Sequence, residues 1–145
     1  MIADATTPTL SPSGGGGLIS TLADYLALSN CLIHNGHYDG GVLISRKTLA
    51  WMTANHIPPA LMPLRMGLEA LDHGFGLGFR VTTSLGEKRA LSSVGEYGWG
   101  GAANTYFWID PAEDFIGLMM TQHMPLLPYP AQERFRNLAY QAIVD

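Results

Sequence analysis

The residues in this chain best suited to chemistry lie in one run, Glu96-Tyr-Gly-Trp-Gly-Gly-Ala-Ala-Asn-Thr-Tyr-Phe-Trp-Ile-Asp-Pro111. Glycines packed this densely ahead of an aromatic strand leave the backbone bare, because no Cβ keeps a partner at a distance. The aromatic strand that follows is explained by β propensity and ends at an Asp-Pro turn. The entry Trp99-Gly100-Gly101 is not explained in that way, and it reads as one wall of an active site.

Other candidate chemistries fall away. Gly14 to Gly17 resembles a phosphate-binding loop only in composition, since no strand precedes it and no Gly-Lys-Ser/Thr follows. The histidines His34, His37, His56, His73 and His123 form no metal set, because His34 and His37 straddle the helix-ending Gly36 and no Cys or carboxylate completes them. Asp110, Glu113 and Asp114 surround Pro111 as turn residues rather than as an acid/base pair. A nucleophile is also missing. There is no Gly-x-Ser-x-Gly, none of the eight serines has a lysine three residues on, no Tyr-x-Asn follows any tyrosine, and Lys-Thr-Gly does not occur. No residue pattern calls for a cofactor or metal.

Composition narrows the partners. The net charge is −4, with eight basic residues scattered along the chain, so nothing offers the clustered Lys and Arg that phosphates require. Charged residues make up only 14%, against about 25% in ordinary soluble domains, which implies less solvated surface than a free-standing domain has. No apolar run reaches the roughly 18 residues of a membrane span. The single Cys31 fits a buried small hydrophobe. The first residues lack the basic start and apolar core of a signal peptide, so the compartment is not readable.

The elements that must position the glycine run are legible as patterns. Residues 1–17 form a flexible lead-in rich in Gly, Pro and Ser, and residues 18–145 form the folded segment. Thr21-Leu-Ala-Asp24 fits a capping box. Leu18, Leu22, Tyr25, Leu26, Ser29, Leu32 and Ile33 follow at helical spacing, and Gly36 stands at C′. Tyr38 to Gly41 is a turn, Val42 to Ile44 is extended, and Ser45 caps a second helix to about Thr53 with Leu49 and Met52 inward. Residues 55–73, with three prolines, are expected as a loop against the body.

From Gly74 the period becomes two. Phe75, Leu77, Phe79 and Val81 take one face of a strand, and Gly74, Gly76, Gly78 and Arg80 take a nearly bare face that another backbone or helix can approach. Leu85 to Lys88 turns the chain and Arg89 to Val94 returns it. Thr105 to Ile109 and Phe115 to Met120 form a hairpin about Pro111 to Asp114, and Ala131 to Val144 closes as a helix striped by Phe135, Leu138, Ala139, Ala142 and Ile143. The order predicts an α+β fold, an antiparallel sheet flanked by helices.

Four ordered patches carry a resemblance. Gly14 to Asp24 resembles the Gly-Gly-Leu-x-Ser-Thr helix start of the serine β-lactamase and penicillin-binding-protein-like hydrolases, which include class C β-lactamases and their esterase relatives. Leu43 to Met52 with Asn55-His56 is similar to another helix of that family. Gly74 to Phe79 resembles its Gly-x-Gly-Phe/Leu-Gly strand, and Glu96 to Pro111 resembles its third active-site motif.

The resemblance implies that Trp99-Gly100-Gly101 stands where members carry Lys-Thr-Gly or His-x-Gly. The strand from Trp99 to Ala103 would then line the substrate cleft, and the Ala102 N–H would be one oxyanion-hole donor. Trp99 in place of a cation points to esters more than to β-lactams, and Asn104 stands where glycine is expected. In this family the nucleophilic Ser, its Lys and the Tyr base lie upstream. The implied protein is therefore the C-terminal part of a longer hydrolase, with a small-molecule ester or amide substrate in the intact enzyme and no activity alone. The alternative is a non-catalytic module that pairs with a missing N-terminal part or with itself, since exposed strand edges invite pairing.

Overall fold

The computed structural model describes residues 15, 18–66, 69–71, 73–85, 90–124 and 130–144. It confirms the α+β class. A five-stranded antiparallel sheet in the order β5-β6-β7-β8-β9 carries helices on both faces. Its strands are β5 (Gly74–Phe75), β6 (Arg80–Val81), β7 (Tyr97–Gly100), β8 (Tyr106–Asp110) and β9 (Phe115–Met119).

Helix α1 spans Leu22–Ile33 and starts as expected, with the Thr21 hydroxyl accepting the Asp24 N–H at 3.2 Å. Its end is shifted by one residue. Asn35 (φ 58) takes C′ and Gly36 (φ 86) follows it, with Gly36 N–H donating to Cys31 O and Asn35 N–H to Leu32 O. That is a Schellman closure in which Asn supplies the left-handed residue. The expected apolar stripe splits as well. Ser29, Cys31 and Leu32 are buried, and the Tyr25 ring meets Phe107 edge-on at 5.0 Å, whereas Leu18, Leu22 and Leu26 are exposed.

A small hairpin, β1 (His37–Tyr38) with β2 (Gly41–Val42), leads to helix α2 (Arg46–Met52). The Ser45 hydroxyl caps it by accepting the Thr48 N–H, and Leu49 is buried.

The 55–73 region corrects the expectation of a plain loop. After a 3₁₀ turn at Pro59–Leu61 it pairs β3 (Leu64–Met66) with β4 (Glu69–Leu71). The prolines end at Pro63, and beyond them the backbone is free to pair.

The expected strand from Gly74 to Val81 is also corrected, because the chain folds back on itself. Gly76 N–H donates to Phe79 O at 2.8 Å and Gly78 sits at φ 93, so β5 and β6 form a tight hairpin. A left-handed glycine at that place breaks the extended run despite its perfect alternation. The bare face does receive another backbone, for a Cβ on Gly76 would overlap the Met52 carbonyl at the end of α2. The expected return from Arg89 to Val94 is corrected where it is described: residues 90–94 form no strand, the next strand begins at Tyr97, and Arg89 lies outside the described residues. Most of the Leu85–Lys88 turn lies outside the described residues, as do Gly14, Gly16 and Gly17 of the lead-in.

The sheet has two distinct faces, set by strand alternation. Tyr97, Phe107 and Ile109 join Leu32 and Leu49 in the core beneath α1 and α2, with Trp99 packed against them. The opposite face carries Trp108, fully buried between its ladder neighbours Gly98 and Gly117. A Cβ on Gly117 would enter the Trp108 indole, and one on Gly98 would enter the β8 backbone at Phe107 and Trp108. These two glycines therefore serve packing.

Helix α3 (Ala131–Gln141) covers this second face and corrects the predicted stripe. Leu138 is exposed, while Arg136 is buried among polar groups of the sheet. The C-terminal helix is held by the buried Arg136 together with the Phe135 and Tyr140 rings, which both meet Trp108.

Candidate active site

The decisive geometry is the edge of β7. Strand β6 pairs with β7 only at Arg80↔Gly98 and Val81↔Tyr97. Its preceding residues have already turned away through Gly78, so among the described residues nothing pairs with β7 beyond Gly98 on that side. On the other side the ladder to β8 continues, and Gly101 N–H donates to Thr105 O at 2.8 Å. Successive backbone N–H groups point to opposite edges. With Gly101 N–H committed to β8, the Gly100 N–H faces the open edge, and the Ala102 N–H points the same way because the carbonyl of its trans peptide, Gly101 O, accepts from Asn104 on the β8 side.

Strand β7 stops at Gly100, and the residues from Gly101 onward form a hairpin loop rather than the continuous strand to Ala103 suggested by resemblance. Asn104 N–H donates to Gly101 O at 3.0 Å, and Asn104 lies at φ 61, while Ala102 and Ala103 have ordinary negative φ. This is a type I turn followed by a left-handed residue, the common three-residue hairpin loop. It accounts for Asn104 in the place expected for glycine, since Asn is the residue that best tolerates this conformation after glycine. Ala102 is the first central residue of the turn, and its N–H closes none of the turn's hydrogen bonds.

The other predicted site residues are arranged around this edge. Trp99 points to the α1 face, its indole edge-on to Phe75 at 5.3 Å. Gly101 is bare against the Thr105 hydroxyl. A Cβ on Gly100 would meet only ordinary contacts, the nearest being the Tyr106 ring at 3.5 Å. Gly100 is therefore a glycine that the described fold does not require.

The sequence reading missed the buried polar cluster behind this edge. Glu96, just before β7, accepts from Arg136 in an ion pair, from Arg80 at 3.3 Å and from the Tyr140 hydroxyl at 2.8 Å. Tyr140 OH also lies 2.6 Å from Asp110 Oδ2, and Arg136 reaches the Tyr106 hydroxyl and Leu91 O. The Arg80 guanidinium crosses β7 above its glycines to stack 4.8 Å from the Tyr106 ring centre on β8.

Burial pushes the Tyr140 hydroxyl far above the tyrosine range, helped by its hydrogen bond to Asp110 and by the charge of Glu96. Burial likewise raises Tyr106 against the opposing pull of Arg80 and Arg136, and lowers Arg80. Asp110 does use its carboxylate for the turn, accepting the Ala112 N–H at 3.0 Å, but it is fully buried and serves the cluster too. The one available sign was the spacing of Gln132, Arg136 and Tyr140 at i, i+4, i+8, a polar face on a helix that must lie against a sheet.

Comparison with known proteins gives the family. The sequence profile of the Beta-lactamase family matches residues 2–142. The chain belongs to the Beta-lactamase family. Two Mycobacterium tuberculosis proteins, Rv1367c of strain H37Rv and MT1414 of strain CDC 1551, are each 31% identical in an alignment of 135 residues that covers 86% of this chain. The chain spans 32% of their length.

The β-lactamase fold is shared with simvastatin synthase (LovD) from Aspergillus terreus. Its unliganded selenomethionyl structure matches at TM-score 0.69 and 21% identity, covering 91% of this chain and 37% of that one. The LovD9 mutant matches at 0.70 and 21%, covering 88% and 36%. No helix among the described residues is long and apolar enough to cross a membrane.

Proposed function

We propose that this chain supplies the cleft wall and one oxyanion-hole donor of a serine hydrolase of the β-lactamase family, acting on small esters in preference to β-lactams. The observation that carries the reading is the open edge of β7, where the Gly100 and Ala102 N–H groups face outward beside a glycine that the fold does not need. Backbone N–H groups fixed in advance stabilise the charge that develops on a carbonyl oxygen during acyl transfer. Trp99 offers an apolar flank in place of a cation, which favours an uncharged ester over a substrate held by its carboxylate. The nucleophilic serine and its bases belong to the part of such an enzyme that this sequence does not contain, so the chain alone is inactive.

The test is hydrolysis of p-nitrophenyl butyrate and nitrocefin. The purified chain should show no turnover. A chimera in which this chain replaces the matched third of Rv1367c should hydrolyse the ester faster than nitrocefin. Turnover by the chain alone, retained in preparations cleared of contaminating hydrolases, would sink the reading.

One observation favours a second reading, that of a non-catalytic module that associates with another copy. Leu18, Ile19, Leu22 and Leu26 of the α1 region are exposed, and α1 packs beside β9, whose outer edge is unpaired among the described residues. Exposed apolar surface next to a free strand edge favours association. Gel filtration at micromolar concentration separates the cases: a dimer supports the module, and a well-behaved monomer counts against it.

A further inference from the structure

The hairpin loop that presents Ala102 is held more firmly than a hairpin needs. A type I turn with a left-handed third residue closes itself through its own backbone, as Gly101 and Asn104 do here. Yet the segment that continues past β9 is laced to the same loop. Thr121 Oγ1 donates to Ala103 O at 2.7 Å, His123 N–H donates to the same oxygen at 3.2 Å, and Asn104 Nδ2 donates to His123 O at 2.6 Å. The Asn104 side chain is buried by this arrangement. All three bonds lie on the β8–β9 flank of the loop, opposite the edge toward which the Ala102 N–H points. The loop is thus gripped from behind, while among the described residues no hydrogen bond holds the Ala102 N–H in front.

We infer that Thr121 and Asn104 are positioning residues that fix the Ala102 N–H toward the cleft. This rests on the function proposed above for Ala102. A donor acts on a transition state only to the extent that it is already aimed at the developing charge, so an unbraced hairpin tip would lose rate rather than substrate affinity. Asn104 serves twice, its backbone adopting the left-handed turn conformation and its amide closing the brace. Thr121 is the cleaner probe, because its hydroxyl makes the bond to Ala103 O and valine keeps its shape.

Two measurements test the inference. In the chain itself, Thr121→Val should speed hydrogen exchange of the Asn104 and His123 amides by roughly three- to tenfold, about the worth of one hydrogen bond. Amides of the β7–β8 ladder should keep their rates, and Thr121→Ser should restore the loop. Unchanged exchange at Asn104 and His123 overturns the brace. In the Rv1367c chimera, Thr121→Val should lower kcat about tenfold with KM unchanged, again rescued by Ser. If exchange responds but kcat does not, the brace is structural only and the positioning role is overturned, while the oxyanion role of Ala102 is judged separately by its own variant. If intact Rv1367c turns over the ester and the chimera does not, the functional reading fails and the positioning role falls with it, whereas the exchange result still reports on the brace.

Discussion

Arg136→Leu should destabilise this chain by roughly 3–5 kcal/mol, the usual cost of breaking a buried ion pair from one side. Leucine fills the space of the Arg136 stem but takes a cation away from the buried Glu96, which keeps Arg80. It also removes the donors to Tyr106 OH and Leu91 O, while Asn137 still accepts the Leu91 N–H and Tyr140 still bonds Glu96. Glu96→Gln should cost nearly as much, because two guanidiniums then face a neutral amide. The double variant should be less destabilised than the sum of the two, since the partners share one network. Urea unfolding followed by far-UV circular dichroism measures all three. A loss under about 1 kcal/mol for Arg136→Leu would mean that α3 is held by its apolar contacts after all.

That cluster also shows how far the sequence reached. Elements governed by local rules were legible: the Thr21 and Ser45 caps, the Pro111–Asp114 hairpin and the α+β order all follow from side chains acting on their own backbone. Elements governed by distant partners were not. The perfect alternation from Gly74 to Val81 read as one strand, yet Gly78 in the left-handed region folds it into two. Helix α3 read as an amphipathic stripe, yet Arg136 and Tyr140 on it reach Glu96, just before β7, and Asp110 at the end of β8, both far away in sequence. A charge inside an otherwise apolar pattern gives no local hint of the partner that makes its burial tolerable.

The candidate site was half legible for the same reason. Glycine density alone singled out the candidate strand, and the glycines divide by role once neighbours are known. Gly98 makes room for the backbone of β8, Gly117 for the Trp108 indole, and Gly101 for the Thr105 hydroxyl, whereas Gly100 has no such tenant. The open edge itself depends on where β6 stops, which is a property of the β5–β6 hairpin and not of the motif.

The central claim is that the Ala102 N–H stabilises an oxyanion, and Ala102→Pro tests it with little collateral change. Ala102 occupies the first central position of a type I turn, where proline is favoured because its fixed φ suits the turn. The residue before it, Gly101, continues the extended backbone, which is compatible with a following proline. The N–H that proline lacks closes no hydrogen bond of the loop. The substitution should therefore leave the melting temperature of the chain within a few degrees of its original value and delete one donor. Loss of a single oxyanion donor costs about 10²–10³ in kcat, near 3–4 kcal/mol.

The direct measurement is p-nitrophenyl butyrate hydrolysis by the Rv1367c chimera with and without Ala102→Pro, alongside thermal unfolding of both. The account predicts kcat lower by about 10²–10³ at matched stability and nearly unchanged KM. A folded proline variant that turns over the ester as fast as its parent would contradict it.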